Sequence, residues 1–142
     1  MKTLIPFLAA GFAVLLLASA PASASILLRN DQDVFWDASG SIGQTSFKAK
    51  YKESPENGRI DQTLEVELQN APRGVQVFLS INGATIGSMV TDATGRGVFR
   101  LDRFGVMPDA NGRPDGARIE TGDVIRLFRG NAGLEGSFVP RP

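Results

Sequence analysis

One central stretch of this chain constrains its fold more than any other part of the sequence. Apolar residues occupy every second position from 75 to 81, which is the period of a half-buried β-strand. Asn82-Gly83 follows directly, and this dipeptide favours a type I′ hairpin turn because both central residues of that turn need positive φ. The return run leads through a Gly-rich turn at 92–97 into a third apolar run. The sequence therefore predicts a β-meander at the centre of the chain.

The position of the Asn82-Gly83 turn also predicts the pairing inside this meander. Counting outward from the turn places Leu79 opposite Ile86 and Phe78 opposite Gly87. An aromatic ring over a strand glycine covers exposed backbone. We therefore predict a covering role for Phe78 rather than a role in ligand contact.

A second hairpin is predicted around Asn57-Gly58. Apolar residues alternate with lysines before this turn and with glutamates after it. Centring the hairpin on the turn places Lys50 opposite Glu65 and also matches the apolar side chains in pairs, which a slip of one residue would destroy. The apolar face then consists of Phe47, Ala49, Tyr51, Leu64, Val66 and Leu68.

The first 24 residues have the pattern of a secretory signal peptide. Lys2 supplies a positive charge, residues 4–18 are almost wholly apolar, and Ala22-Ser23-Ala24 matches the small-x-small cleavage site. The apolar run of about 15 residues is shorter than the roughly 20 that a membrane span needs. We therefore expect Sec-type export to the periplasm or the medium and no membrane insertion after the leader is removed. The mature chain, 25–142, is expected to be a single domain.

The composition restricts the chemistry of that domain. The chain contains no cysteine and no histidine, and its basic and acidic residues are equal in number, 15 of each. Without cysteine, thiolate catalysis is excluded. Without histidine, the chain lacks the commonest general base and the commonest transition-metal ligand. A nucleic-acid partner is not expected, because binding to nucleic acid requires a clustered basic surface.

The whole pattern predicts an all-β fold. About eight short strands are separated by Gly, Pro, Asn and Asp turns, with no helical pattern after the leader. We favour an antiparallel β-sandwich, Ig-like or of a related Greek-key or meander order, over a partly open barrel. The chain resembles uncharacterised small secreted bacterial β-sandwich proteins in the runs 77–87, 91–97, 119–125 and 134–138. This resemblance implies the fold and no activity.

Two segments supply candidate ligand contacts. Residues 103–121 lack strand periodicity, and a long loop on a rigid β-scaffold commonly carries recognition. Neighbouring aromatic residues in the short strand 34–36 must point to opposite faces, so one is expected in the core and the other covered or exposed. Residues 38–43 are predicted to form a flexible turn-rich connection. The expected ligand-binding residues are Phe35, Trp36, Phe104, Met107 and Arg113.

A calcium loop is the alternative interpretation of one part of this segment. Asp109, Asn111 and Asp115 have the spacing of oxygen ligands, but Arg113 occupies a position where another acidic ligand is expected. We therefore expect no cofactor, with a weakly bound structural Ca²⁺ as the alternative.

The sequence predicts a non-catalytic binding or structural module of the cell exterior, with an unidentified extracellular ligand or protein as its partner. The alternatives are a carboxylate-dependent hydrolase without histidine or cysteine and a weak calcium-binding extracellular domain. Serine activation by lysine needs a buried amine, and the lysines of the 47–52 strand are expected in solvent. A pocket with convergent carboxylates would favour the hydrolase, an open aromatic rim would favour binding, and a long unpaired strand edge would favour assembly.

Overall fold

The computed structural model of the protein describes residues 32–110, 112–115 and 118–142, and its regular secondary structure is entirely β. The predicted signal peptide, 1–24, lies outside the described residues. No helix of a length and hydrophobicity sufficient to cross a membrane occurs in the described part of the chain. The strands are β1 (Val34–Ile42), β2 (Thr45–Glu56), β3 (Arg59–Gln69), β4 (Gln76–Ile81), β5 (Ala84–Val90), β6 (Gly97–Val106), β7 (Val124–Arg129), β8 (Ala132–Ser137) and β9 (Val139–Pro140).

The strands form two antiparallel sheets, which confirms the predicted β-sandwich. The five-stranded sheet has the order β6-β3-β2-β1-β9, and the four-stranded sheet has the order β5-β4-β7-β8. Alternate side chains from both sheets fill the space between them. The largest fully buried apolar side chains are Phe47, Val66, Leu68, Leu79, Ile125, Leu127 and Phe138.

Two tight turns mark one end of the sandwich, which we call the Asn-Gly end. Asn57 and Gly58 connect β2 to β3, and Asn82 and Gly83 connect β4 to β5, all four with positive φ. This is the backbone conformation that a type I′ turn requires. The register of the first hairpin is confirmed, because Phe47 pairs with Leu68 and Lys50 pairs with Glu65.

The predicted register of the second hairpin is wrong by one residue. Leu79 pairs with Gly87 and Phe78 with Ser88, because the pairing shifts between Leu79 and Ser80 and leaves one extra residue on β5. Gly87 is covered from the other sheet by Phe99, whose Cε2 atom lies 2.4 Å from the position that a Cβ would take. Counting from the turn assumes a regular ladder, and a bulge breaks that assumption.

Phe78 lies instead on the outer face of the four-stranded sheet. Its ring packs against Phe128, with 5.8 Å between the ring centroids. The Arg126 guanidinium lies 5.6 Å from the Phe128 centroid. Phe78 therefore covers a neighbouring aromatic ring rather than a glycine.

The predicted flexible connection at 38–43 is also wrong, because β1 continues without interruption to Ile42. Gly43 lies in the β1–β2 turn with positive φ, whereas Gly40 allows a close approach between the sheets. A Cβ on Gly40 would lie 2.2 Å from the carbonyl oxygen of Glu135, and a Cβ on Gly136 would lie 2.3 Å from that of Ser39. Two glycines therefore allow the backbones of β1 and β8 to touch at this corner of the sandwich.

The segment 103–121 contains more regular structure than its sequence indicates. β6 extends to Val106, and Pro108 forms an isolated antiparallel bridge with Pro114. The N–H of Asp115 donates to the carbonyl of Met107 at 2.8 Å. The predicted aperiodic loop thus begins as the continuation of an edge strand and then folds back on itself.

The opposite edge of the five-stranded sheet is closed by β9. Val139 pairs with Asp37, and the backbone N–H of Arg141 donates to the carbonyl of Phe35 at 2.9 Å. The Arg141 side chain also donates from Nε to Asp37 Oδ2 at 2.6 Å. The segment 139–141 therefore ties the last strand to the first.

Candidate functional site

The five residues predicted to contact a ligand do not converge on one surface. Trp36 is buried in the core, where its ring centroid lies 5.6 Å from that of Tyr51. Phe35 lies on the opposite face, between Lys52 at 5.6 Å and Arg141 at 5.2 Å from its ring centroid. The prediction that one of the two aromatics lies in the core is therefore confirmed.

The other three predicted contacts lie on β6 or beyond it. Phe104 and Met107 are 72% and 55% exposed. Arg113 lies at the tip of the folded-back segment, with its Nη1 atom 3.8 Å from Glu120 Oε1. A role for these residues in ligand contact stays a prediction.

The calcium alternative falls partly outside the described residues. Asn111 is not among them. Asp109 Oδ1 accepts a hydrogen bond of 3.0 Å from the backbone N–H of Arg113, which is the arrangement of a capped turn. Weak calcium binding by this segment therefore stays an alternative.

A small cleft between the sheets opens at the Asn-Gly end. Its volume is about 210 Å³, and its walls come from five strands and from the segment before β7. Most of the lining is apolar, but two arginines and two neutral polar side chains also reach it. The lining residues are Tyr51, Gln62, Leu64, Ile81, Ala84, Ile86, Leu101, Arg103, Arg118 and Ile119.

A row of polar side chains lies on the inner face of the five-stranded sheet at the Asn-Gly end. Glu53, Gln62 and Arg103 stand opposite one another on β2, β3 and β6. Glu53 is fully buried and Gln62 nearly so, which is unusual for these residue types. A buried carboxylate must be hydrogen-bonded to be tolerated.

A chain of hydrogen bonds joins this row through Tyr51. Arg103 Nη1 donates to Gln62 Oε1 at 3.0 Å, and Gln62 Nε2 donates to the Tyr51 hydroxyl at 2.5 Å. The hydroxyl in turn donates to Glu53 Oε1 at 3.0 Å. Burial, and then the charge of Glu53, raise the pKa of Tyr51 well above its ordinary value. The phenol therefore stays protonated at neutral pH. The direction of each of these three hydrogen bonds is thus fixed.

Arg118 contributes the least satisfied polar group of the cleft. Its side chain is 15% exposed, and its Nε lies 3.1 Å from Glu120 Oε1. That contact is an ion pair and not a hydrogen bond. The enclosed Nη1 atom of Arg118 likewise has no hydrogen-bond partner among the described residues. A buried N–H without an acceptor is costly, so an acceptor placed at this position would be bound favourably.

A second, larger cleft opens at the opposite end of the sandwich. It encloses about 690 Å³ and is lined mainly by apolar residues from the β1–β2 turn, the β3–β4 connection and the β7–β8 turn. Ile42 at its rim is 66% exposed. This cleft offers apolar contact, whereas the cleft at the Asn-Gly end combines apolar walls with oriented polar groups, as ligand sites usually do.

Part of this polar row is visible in the sequence pattern. The alternation that buries Phe47, Ala49 and Tyr51 also places Glu53 on the inner face. The alternation of β3 likewise places Gln62 beside Leu64 on that face. A glutamate and a glutamine that continue an apolar face are the signal that could have indicated a buried polar site.

No known protein-family model matches the chain. No curated protein shows significant sequence similarity to it.

Proposed function

We propose that this protein is a non-catalytic binding module of the cell exterior, and that its cleft at the Asn-Gly end takes a small ligand with an apolar body and one anionic group. The observation that supports this proposal most directly is the enclosed Arg118 Nη1, without an acceptor among the described residues, in the wall of a mainly apolar cleft. A carboxylate is the simplest matching group. Charge-assisted hydrogen bonds from a guanidinium to a carboxylate are among the strongest in proteins.

The apolar walls fit the other part of such a ligand. Leu64, Ile81 and Ile86 line the cleft and would take a short hydrocarbon or ring out of water. The volume of about 210 Å³ lies below the usual range for drug-sized ligands, roughly 300–1,000 Å³. The ligand class is therefore a short-chain or single-ring carboxylate.

The chemistry of the cleft favours binding over hydrolysis. Arginine stays protonated in proteins, so Arg103 and Arg118 are suited to hold an anion rather than to transfer a proton. The raised pKa of Tyr51 keeps its phenol neutral, and the hydroxyl donates to Glu53. The location outside the cell is supported by the leader pattern of 1–24, and sequencing of the exported protein should find Ser25 at its N-terminus.

Hexanoate and hexanol are suitable probes, because they share an apolar chain and differ in charge. We expect hexanoate to bind more tightly, with NMR shifts confined to residues of the cleft. Arg118→Met should weaken hexanoate binding about ten-fold or more and leave hexanol binding unchanged, since a hydrogen bond to a charged group contributes roughly 1.5–3 kcal/mol. Arg73→Met is the matched control, because Arg73 is exposed in the β3–β4 connection at the other end.

Two results would contradict the proposal. One is equal affinity for the acid and the alcohol. The other is hexanoate binding that survives Arg118→Met unchanged, which would move the anion site elsewhere on the chain.

A further inference from the structure

β6 presents a long open edge. It is the outermost strand of the five-stranded sheet, ten residues long, and pairs with β3. Among the described residues, no backbone hydrogen bond joins its other side to a neighbouring strand or loop. Three of its apolar residues, Val98, Leu101 and Phe104, are 51%, 41% and 72% exposed. A strand edge of this kind is a template for pairing with another strand.

The sequence of this edge is complementary to itself. Residues 98–104 read Val-Phe-Arg-Leu-Asp-Arg-Phe, with Leu101 at the centre. When a second copy pairs antiparallel about that centre, Arg100 of each copy faces Asp102 of the other. Opposite charges directly across an antiparallel pair favour the register that brings them together.

The remaining positions of this register also match. On the outer face, Val98 of one copy stands opposite Phe104 of the other, which joins two exposed apolar side chains. On the inner face, Phe99 stands opposite Arg103, and Leu101 stands opposite Leu101. In this seven-residue register, no like charges stand directly opposite each other.

The existing sheet supports the same arrangement. Asp37, Lys50, Glu65 and Arg100 stand side by side on β1, β2, β3 and β6, so that charge alternates in sign along one row of the outer face. The row ends at Arg100, on the open edge, where Arg100 Nε donates to Asp102 Oδ2 of its own strand at 2.9 Å. Asp102 of a second copy would take the next position and continue the alternation.

We propose that two copies of this chain associate through β6, in an antiparallel register centred on Leu101, so that their five-stranded sheets become continuous. The binding mode is strand addition, in which main-chain hydrogen bonds supply affinity and alternate side chains supply specificity. The partner is thus a second copy of this chain, chosen by the charge pattern of the edge.

A pair of charge reversals tests this arrangement. We expect the full-length gene product, expressed and purified, to show a dimer mass by light scattering over a micromolar to millimolar series. Arg100→Asp places Asp opposite Asp102, and Asp102→Arg places Arg opposite Arg100, so each variant alone should be monomeric. An equimolar mixture of the two should form a heterodimer, because every crossed pair is then opposite in charge. Arg73→Asp makes the same charge change in an exposed loop and should leave the dimer intact.

A cysteine pair tests the register. The native chain has no cysteine, so each introduced thiol is the only one present. In Leu101→Cys, the new thiols of the two copies would lie beside the two-fold axis of the dimer. Directly opposed Cα atoms there are about 4.5–5.5 Å apart, within disulfide range. Val98→Cys is more exposed, but the two copies of residue 98 would be separated by six residues of strand, roughly 20 Å. Oxidation should therefore link the Leu101→Cys variant and not the Val98→Cys variant.

Each alternative outcome overturns the proposal. A wild-type protein that stays monomeric across the series would exclude the dimer. A dimer that survives both charge reversals, or one whose position-98 cysteines link as readily as those at position 101, would place the interface or the register elsewhere. Far-UV circular dichroism on every variant distinguishes lost association from lost folding. Strand addition by an unrelated peptide would give a monomeric wild type that binds such a peptide at β6.

Discussion

The contact between β1 and β8 allows a quantitative test of how the two sheets close. Gly40 and Gly136 approach the opposite backbone so closely that a Cβ on either would lie 2.2 or 2.3 Å from a carbonyl oxygen. Backbone cannot swing aside as a flexible side chain can. Gly40→Ala or Gly136→Ala must therefore move β1 and β8 apart by about 1 Å to restore van der Waals contact.

The expected magnitude follows from this displacement. Overpacking a core typically lowers the free energy of unfolding by about 1–3 kcal/mol. Replacing glycine by alanine in an extended strand raises the free energy of unfolding by roughly 0.4–1 kcal/mol, because it lowers the conformational entropy of the unfolded chain. Because the obstruction here is backbone, we expect a net loss near the top of that range, about 2–3 kcal/mol for each variant.

The double variant carries the sharper prediction. One separation of β1 from β8 relieves both clashes, so the second alanine should add little to the first. We expect the double variant to lose about 3–4 kcal/mol, which is less than the sum of the single losses by roughly 1–2 kcal/mol, a normal coupling for residues in contact.

Urea unfolding followed by the fluorescence of the single tryptophan measures these losses, because Trp36 is buried in the core. Gly97→Ala is the matched control. Its Cβ would lie 2.7 Å from Met89 Sδ, the far part of a flexible side chain, so its loss should be about 1 kcal/mol or less. Strictly additive losses for Gly40 and Gly136, or a larger loss for Gly97→Ala than for Gly40→Ala, would refute the reasoning.

Three further predictions concern the hairpins and the polar row. Lys50→Glu should lower the free energy of unfolding by at most about 1 kcal/mol, because the pair of Lys50 with Glu65 is on the solvent face. A loss of several kcal/mol, measured by urea unfolding, would contradict this. Above pH of about 10, the free energy of unfolding should fall by up to about 1.36 kcal/mol per pH unit through Tyr51, because the unfolded phenol loses its proton before the folded phenol, whose pKa is raised. The ultraviolet titration of this single tyrosine should accordingly be shifted to higher pH, and an ordinary midpoint would show that the hydroxyl is not buried as described. Replacing 108–116 by a tight turn should change the free energy of unfolding by less than about 1–2 kcal/mol, since loop-closure entropy depends weakly on length. If that variant did not fold, the segment would be required for the fold itself.

Those parts of the fold that depend on neighbouring residues in sequence were predictable. The pairing of Lys50 with Glu65 follows from one turn, Asn57-Gly58, and from alternation on both sides of it. The same method failed between β4 and β5, because the alternation of apolar and polar residues does not reveal which strand carries an extra residue at a bulge. A glycine pattern similarly suggested a turn at 38–43, although Gly40 serves a contact with a strand almost a hundred residues later.

The candidate site depends on pairings between distant parts of the chain. Gln62 and Arg103 are neighbours because β6 pairs with β3, and this register contains its own irregularity between Ile60 and Gln62. No local pattern places two strands so far apart in sequence side by side. Arg118 lies in a segment without periodicity, where sequence indicates neither its burial nor its direction. The alternation of β2 and β3 predicts that Glu53 and Gln62 face inward. No such pattern predicts the positions of Arg103 and Arg118.

The pairing of β9 with β1 has a consequence for the order of folding. It joins residues 104 positions apart, from Asp37 to Arg141, and non-local pairing of this kind slows folding. Among the described strands, β1 is synthesised first and its closing segment 139–141 last, so the outer edge of β1 stays open until that segment has been made. The chain can therefore complete its five-stranded sheet only after synthesis of residue 141.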